Sequence, residues 1–207
     1  MTMDPARFHG VYALIDPAAQ AAPAAYLDAL LRGGIRLIQI RAKGGIAPEL
    51  LRTVVARIRA AGGIAIVNDD VDLALEADGV HLGQEDLAGH DLRALRARLG
   101  PRAIGLSCGT PAEAQAVPVG LIDYLGAGPI FATTSKGDAG GPIGVNGVRV
   151  VVAATPLPVA AIGGITLASV ARVRETGATM AAVISALAAA ADPEATARAF
   201  VAAWASR

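Results

Sequence analysis

The chain repeats one pattern along its whole length: a short apolar run ends in polar or Gly residues, and an amphipathic stretch follows. Eight such runs occur, at residues 11–16, 36–43, 64–69, 79–84, 103–108, 123–131, 158–164 and 179–186. Strands that alternate with helices pair in parallel, and near-continuous apolar strands are buried on both faces. Eight units predict an α/β fold with a single (β/α)₈ (TIM) barrel domain over residues 1–207. A doubly wound open sheet is the alternative, which periodicity alone does not exclude.

Helical patterns fill most of the gaps between these runs, at residues 48–61, 91–98, 166–176 and 193–205. Thr166 and Asp192 are expected to cap two of these helices at the N-terminus, and Pro193 suits a first turn. Glycines fall where helix ends are expected, at positions 62, 100 and 177.

Composition limits the class of partner. Hydrophobic residues make up 54% of the 207 residues and aromatic ones only 3%, so the core must be built by packing small side chains. Eighteen basic residues balance eighteen acidic ones without a basic block, which argues against binding to nucleic acid or an anionic membrane. The only cysteine, Cys108, cannot form an internal disulfide, and the start of the chain has no apolar leader segment. A cytoplasmic protein is therefore expected.

The second apolar run carries polar residues at every second position. Gln39, Arg41 and Lys43 alternate with apolar residues, so they share one face of the strand. In a barrel, helices cover the outer face, and this polar face is expected to point into the mouth. The alternative is a strand whose last residues simply reach solvent.

Acidic and amide groups follow the next strands. Asn68 and Asp69 end the third strand, residues 84–86 follow the fourth, and Ser107 ends the fifth. Asp69 and Asp86 are hard oxygen ligands suited to Mg²⁺, which is usually shared with substrate phosphates. Three neighbouring acids are not predicted to be direct metal ligands. Asp70 and Asp72 fit the start of the next helix, and Glu85 fits an outer partner of the metal.

The later strands add a loop and an anion site. The loop after the sixth strand contains Thr133, Thr134, Ser135 and Lys136 and then several glycines, so it is expected to act as a lid, with an ordinary solvated connection as the alternative. The small residues of "AIGGIT" and "VISAL" would let backbone N–H groups approach a phosphate. Mg²⁺ with Arg41 and Lys43 would neutralise a diphosphate, and this second site would hold another phosphorylated molecule. The combination favours a reaction that joins two phosphorylated substrates with diphosphate as leaving group.

Seven motifs, in this order, resemble those of the thiamine-phosphate synthase family. They cover residues 11 to 200 approximately and read "QIRAK", "VND-VDLAL", "GVHLGQED", "GLS", "GPIFATTSK", "AIGGIT" and "VIS". The resemblance implies a transferase that joins 4-amino-5-hydroxymethyl-2-methylpyrimidine diphosphate to a thiazole phosphate carboxylate. The products are thiamine phosphate, diphosphate and CO₂, and no enzyme nucleophile is required.

The resemblance also implies roles for individual residues. The pyrimidine diphosphate is expected to contact Gln39, Arg41, Lys43, Asn68, Ser107 and Lys136, of which Arg41, Lys43, Ser107 and Lys136 are the catalytic candidates. Mg²⁺ is expected on Asp69 and Asp86. The thiazole phosphate is expected to contact Thr133, Ser135, Gly164, Ile184 and Ser185. A homo-oligomer is left open.

Two positions and one segment depart from the usual family pattern. Ala42 stands where an acid is common, and Ser135 stands where threonine is common. The segment "KGDAGG" replaces the common "KKDA", so the family's lid charge and mobility are not carried over to this chain. Two other functions stay open: a thiazole tautomerase, and a non-catalytic barrel that binds a thiamine precursor. The remaining reactive side chains are interpreted as structural, with His81 a core or rim histidine, Cys108 a small buried hydrophobe and Trp204 a packing residue.

Overall fold

In the computed structural model, which describes residues 3–42, 44–87, 89–133 and 141–206, eight parallel strands form a closed barrel in chain order. The strands are β1 (Gly10–Ile15), β2 (Leu37–Ile40), β3 (Ile64–Asn68), β4 (Gly79–Leu82), β5 (Ala103–Cys108), β6 (Tyr124–Ala127), β7 (Val159–Ile162) and β8 (Met180–Val183). The first strand pairs with the last, with Val11 opposite Ala181. This pairing confirms the predicted barrel and rules out the open sheet.

Helices connect the strands around the outside. They are α1 (Pro23–Arg32), α2 (Pro48–Ala60), α3 (Gln84–Leu87), α4 (Leu92–Leu99), α5 (Pro111–Ala116), α6 (Gly144–Ala153), α7 (Val170–Arg174), α8 (Ser185–Ala188) and α9 (Pro193–Ala205). Short 3₁₀ helices occur at Pro5–Arg7, Pro17–Ala19 and Leu73–Glu76. No helix in the described ranges combines the length and the apolar character needed to cross a bilayer.

All eight predicted strands exist, but most end earlier than the sequence pattern suggested. The second was predicted over 36–43 and the sixth over 123–131, and both contain only four residues in the structure. Beyond the parallel ladder, Arg41 after β2 and Gly128 and Pro129 after β6 line a cavity at the carboxyl ends of the strands. The apolar pattern therefore continues past the end of strand pairing.

One predicted helix start is wrong and one is confirmed. The helix predicted from 166 begins at Val170, because residues 166–169 form a turn in which the Ser169 hydroxyl accepts a hydrogen bond from the Thr166 backbone N–H at 2.9 Å. Asp192 caps α9 as predicted, since its carboxylate accepts a hydrogen bond from the Ala195 N–H at 2.9 Å.

Two apolar layers hold the barrel together. Ile38 and Ile40 of β2 belong to the outer layer, where the strands meet the helices. Leu37, by contrast, points into the barrel and packs there with Phe8 and Tyr12. The strand alternation assigned to β2 from the sequence is thus confirmed, and Ala42 follows the end of that strand.

The amino-terminal end of the barrel is sealed by apolar and ionic contacts. Phe8 stacks on the ring of Tyr124 with centroids 4.9 Å apart. Asp123, which immediately precedes β6, pairs with Arg96 of α4 and accepts a hydrogen bond from the Ile104 N–H at 2.7 Å. Only 4% of the Asp123 side chain is exposed, so its charge depends on Arg96 for compensation.

Candidate active site

A cavity of about 520 Å³ opens at the carboxyl ends of the strands. Such ends carry the active sites of barrel enzymes. Eight of the residues predicted for the site line it: Gln39, Arg41, Asn68, Asp69, Asp86, Ser107, Thr133 and Ile184. Lys43, Thr134, Ser135 and Lys136 lie outside the described residues, so the predictions for them and for most of the lid are not tested by the structure.

The end of β2 delivers an amide and a cation to the cavity. Gln39 is 2% exposed and lies in the barrel interior, where its Nε2 donates to the Tyr12 hydroxyl at 3.0 Å. Arg41 is half-buried just beyond the strand, and its N–H donates to the Ile15 carbonyl at 2.8 Å. The β1 backbone therefore fixes the point from which the Arg41 side chain enters the cavity.

Asp69 occupies a strained position at the end of β3. Its φ of +64° places it in the left-handed region, and within the described ranges it is the one non-glycine residue with positive φ. The His81 carbonyl accepts its N–H at 2.9 Å, and the Asn68 amide donates to its carboxylate. Strain of this kind persists where surrounding contacts enforce it, which is common at functional sites.

Asp86 approaches the same cavity from α3. Its Oδ2 accepts a hydrogen bond from the Gly83 N–H at 2.9 Å, while the residue as a whole is exposed. The neighbouring Gln84 donates through Nε2 to the Ser107 carbonyl at 2.6 Å and so joins the ends of β4 and β5. These two bonds hold the carboxylate and the Ser107 backbone at the cavity wall.

The oxygen donors here suit a metal ion that is shared with a substrate. Within the described residues, no group of three or more His, Cys, Asp or Glu side chains is arranged to hold a metal. Asp69 and Asp86 nevertheless line one cavity. Mg²⁺ is commonly bound by one or two carboxylates, with water and substrate phosphates completing its coordination. The donor set therefore fits Mg²⁺ that arrives with a diphosphate.

Two of the three neighbouring acids make contacts outside the cavity. Asp70 fits the predicted helix start, whereas Asp72 occupies the N-cap position of the 3₁₀ helix without a side-chain capping bond. Asp70 accepts a hydrogen bond from the Leu73 N–H at 2.9 Å, at the start of the 3₁₀ helix, and Asp72 pairs with Arg98 of α4. Glu85 is exposed and lines the cavity beside Asp86.

Polar side chains inside the barrel form part of the site that sequence reasoning missed. Tyr12 and His81 line the cavity from below. His81, interpreted from sequence as a core or rim histidine, contacts the Tyr124 hydroxyl through Nδ1 at 3.1 Å and the Ser107 hydroxyl through Nε2 at 3.1 Å. Strand alternation could have indicated Tyr12, because Tyr12 and Leu14 are two residues apart and therefore share the inward face of β1.

Small residues after β7 create room for the β6 loop. A Cβ on Gly163 would lie 2.6 Å from the Pro129 Cβ, and one on Gly164 would lie 2.6 Å from the Ala132 carbonyl oxygen. These glycines are therefore required by packing, whatever they bind. Gly163 and Ile184 line the cavity, whereas Gly164 and Ser185 adjoin them in sequence without lining it.

Cys108 has the environment of a structural thiol. It is 2% exposed, and burial, with a smaller contribution from Glu113, raises the pKa of its thiol to about 12. A neutral thiol is a poor nucleophile, so the prediction of a small buried hydrophobe is confirmed. Trp204 packs against the core, also as predicted.

Comparison with known proteins identifies relatives over nearly the whole barrel. The sequence model of a family described as thiamine monophosphate synthase matches residues 11–187. A thiamine-phosphate synthase of Moorella thermoacetica is 49% identical over 174 residues, which are 81% of this chain and 81% of that protein. A solved structure, thiamine phosphate pyrophosphorylase from Pyrococcus furiosus, superposes with a TM-score of 0.85 at 30% identity and covers 97% of each chain.

One relative is much longer than this chain. The thiamine biosynthesis bifunctional protein ThiM/ThiE of Symbiobacterium thermophilum is 48% identical over 188 residues, which are 87% of this chain. Those residues make up only 38% of the bifunctional protein.

Proposed function

Because the chain belongs to the thiamine monophosphate synthase family, we propose that it is a thiamine-phosphate synthase. In this reaction 4-amino-5-hydroxymethyl-2-methylpyrimidine diphosphate and thiazole phosphate carboxylate give thiamine phosphate, diphosphate and CO₂. The observation that carries the proposal is one cavity lined by Arg41, Asp69, Asp86 and Ser107. These residues supply a cation, two carboxylates and a hydroxyl, which a diphosphate leaving group and its metal require.

The first step breaks the bond between the pyrimidine CH₂ and the diphosphate oxygen, and the electron pair leaves with diphosphate. The 4-amino group stabilises the cation that forms, so no protein nucleophile is needed. Arg41 would bind the departing diphosphate and offset its growing charge, and the Ser107 hydroxyl would donate a hydrogen bond to it. Interactions that strengthen as charge develops lower the barrier.

The metal site completes the proposed charge balance. Asp69 and Asp86 would hold Mg²⁺, which when bound neutralises part of the diphosphate charge. The Gly83 N–H and the Asn68 amide orient the two carboxylates before substrate arrives. Lys43 and Lys136, which lie outside the described residues, are proposed as further cations for the same diphosphate.

The second step forms the bond between the CH₂ carbon and the thiazole nitrogen. The bond from the thiazole ring to its carboxylate then breaks, CO₂ leaves, and a proton takes up the electron pair that this bond releases. The protein's task here is to hold the two molecules close and in line. The proposal assigns the thiazole carboxylate to Thr133 and Ser135. It assigns the thiazole phosphate to the backbone around Gly164, Ile184 and Ser185.

The direct test is product formation by the purified protein. With both substrates and Mg²⁺ present, we expect thiamine phosphate, measured by chromatography after oxidation to fluorescent thiochrome derivatives. Omission of either substrate should abolish the product, and chelation of Mg²⁺ should strongly reduce it. Arg41→Gln should lower turnover, whereas Arg93→Gln, which removes an exposed arginine of α4, should not.

Two outcomes would replace the proposal. Binding of both substrates without product would favour the non-catalytic barrel that binds thiamine precursors. Interconversion of thiazole phosphate carboxylate isomers in the absence of the pyrimidine, without thiamine phosphate formation, would favour the tautomerase. The cytoplasmic location, a homo-oligomeric state and the absence of nucleic-acid binding stay predictions.

A further inference from the structure

Five side chains form a continuous chain of hydrogen bonds across the barrel interior. In order they are Gln39, Tyr12, Tyr124, His81 and Ser107, here called the interior chain. The successive contacts are 3.0 Å from Gln39 Nε2 to the Tyr12 hydroxyl, 2.8 Å between the two phenol oxygens, and 3.1 Å on each side of the His81 ring. The interior chain links β2 to β5 across the barrel interior.

The direction of this chain follows from the donors it contains. Burial raises the pKa of both phenols, Tyr12 and Tyr124, far above neutral pH, so each carries one proton. Gln39 Nε2 can only donate, so the Tyr12 oxygen accepts from it and its own proton requires another acceptor. Among the described residues the acceptor within hydrogen-bond distance is the Tyr124 oxygen.

The same logic fixes the histidine. Since Tyr124 accepts from Tyr12, its proton is directed to Nδ1 of His81. A neutral imidazole that accepts at Nδ1 carries its proton on Nε2, which then donates to the Ser107 oxygen. The reverse direction would leave the buried Tyr12 proton without an acceptor, because the Gln39 atom that contacts the Tyr12 hydroxyl is the donor Nε2.

Two glycines leave the space that the rings of the interior chain occupy. A Cβ on Gly105 would lie 2.2 Å from Cζ of Tyr124, and a Cβ on Gly126 would lie 3.0 Å from Cε1 of His81. Side chains at these two positions would displace the rings from their hydrogen-bond partners. Glycines on β5 and β6 therefore make the interior chain possible.

We propose that His81 is a positioning residue, held by the interior chain as the Nε2–H tautomer, which makes the Ser107 hydroxyl a hydrogen-bond donor towards the cavity. The Ser107 hydroxyl already accepts a hydrogen bond from His81. Its own proton therefore points away from the imidazole ring and can be donated to an acceptor on a ligand. The assignment of that acceptor to the diphosphate oxygen rests on the proposed function.

The first test measures the tautomer without any substrate. ¹⁵N NMR of histidine-labelled full-length protein should show one ring with protonated Nε2 and unprotonated Nδ1, assigned to His81 by loss of the signal in His81→Gln. An Nδ1–H tautomer at His81 would overturn the proposal. An inactive protein with the Nε2–H tautomer would contradict the proposed function but support the proposed role of His81. The failures of the two proposals are therefore distinguishable.

The second test breaks the chain one residue away from His81. Tyr124→Phe keeps the ring that stacks on Phe8 but removes the proton donor to Nδ1. It should change the His81 tautomer signal and lower kcat/KM for the pyrimidine diphosphate about tenfold, the usual effect of one hydrogen bond. Tyr26→Phe is the matched control, because Tyr26 on α1 is also a buried phenol but lies outside the interior chain. Equal effects of the two variants would overturn the proposal.

The third test separates the two ring nitrogens. In His81→Gln the side-chain amide nitrogen can reach the Nε2 position and donate to Ser107, whereas in His81→Asn it reaches only the Nδ1 position. The glutamine variant should retain more of the kcat/KM than the asparagine variant. Equal kcat/KM values, or a better asparagine variant, would show that donation to Ser107 is not what His81 contributes.

Discussion

The two ends of the barrel interior are built from opposite kinds of residue. The amino-terminal half, here called the floor, is filled by Phe8, Leu37, Ile64, Ile66 and Met180, which are all at most 3% exposed. The carboxyl-terminal half, the mouth, holds an amide, a cation, carboxylates and a hydroxyl. Within one barrel, stability is therefore concentrated at the floor and chemistry at the mouth.

The boundary between the two halves passes through the tyrosines. The Tyr124 ring stacks on Phe8 below, while its hydroxyl contacts His81 above. An aromatic side chain with one polar atom suits such a boundary, because burial of the ring and hydrogen bonding of the hydroxyl are satisfied at opposite ends. Changes to floor, mouth and boundary should accordingly have different effects.

The largest effect is expected from a substitution at the amino-terminal end of the barrel, outside the interior, that leaves the mouth intact. Asp123→Asn removes the charge that compensates Arg96, and breaking a buried ion pair costs about 3–5 kcal/mol in the free energy of unfolding. Urea denaturation should show this loss, while KM for both substrates stays unchanged in the folded fraction. The control is Glu194→Gln, whose ion pairs with Arg32 and Arg198 are exposed and should contribute little to stability.

The reverse pattern is expected at the mouth. Asp86→Asn keeps an oxygen that can accept from the Gly83 N–H, so the fold should survive with an unchanged unfolding midpoint. Turnover should fall about 100-fold, since a group that stabilises developing charge is lost. Glu76→Gln, which neutralises an exposed acid outside the cavity, should leave turnover unchanged. A loss of stability that matched the loss of activity would show that Asp86 has a structural role.

A boundary substitution should affect both properties. Gly105→Ala would force the Tyr124 ring to move and should cost about 1–3 kcal/mol through overpacking. It should also lower turnover, because the contact between Tyr124 and His81 is disturbed. Gly44→Ala, where an added Cβ meets nothing within 4 Å, should leave both thermal stability and turnover close to wild type. If Gly105→Ala lowered stability but left turnover unchanged, the floor and the mouth would be more independent of each other than the structure indicates.

The smallest effect concerns pH. The pKa of Cys108 rises from 9.0 to about 12 on folding, so the folded state favours the protonated thiol. Its contribution to the free energy of unfolding is complete below pH 9 and declines as pH rises towards 12. Relative to Cys108→Ala, wild-type protein should therefore lose stability between pH 9 and pH 10.5, measured by urea denaturation. An unchanged difference would mean that the thiol is not desolvated.

The sequence predicted the strands and much of the mouth, because both follow simple rules. Alternation placed Gln39 and Arg41, and strand ends placed Asp69, Asp86 and Ser107. Tyr12 and Tyr124 were missed because aromatic residues in apolar strands fit a core equally well, and only the closed barrel brings their hydroxyls together. The start of α7 was misplaced because side-chain bonds between Thr166 and Ser169 favour a turn over a helix.

The pairing of β1 with β8 has a consequence for synthesis on the ribosome. During elongation, β1 has β2 as a neighbour early, but its other edge has no partner until Val183 has been made. An open parallel edge can pair with another chain, and such distant pairings form slowly. The nascent protein thus carries an aggregation-prone edge through most of its translation, and the arrival of the last strand removes it.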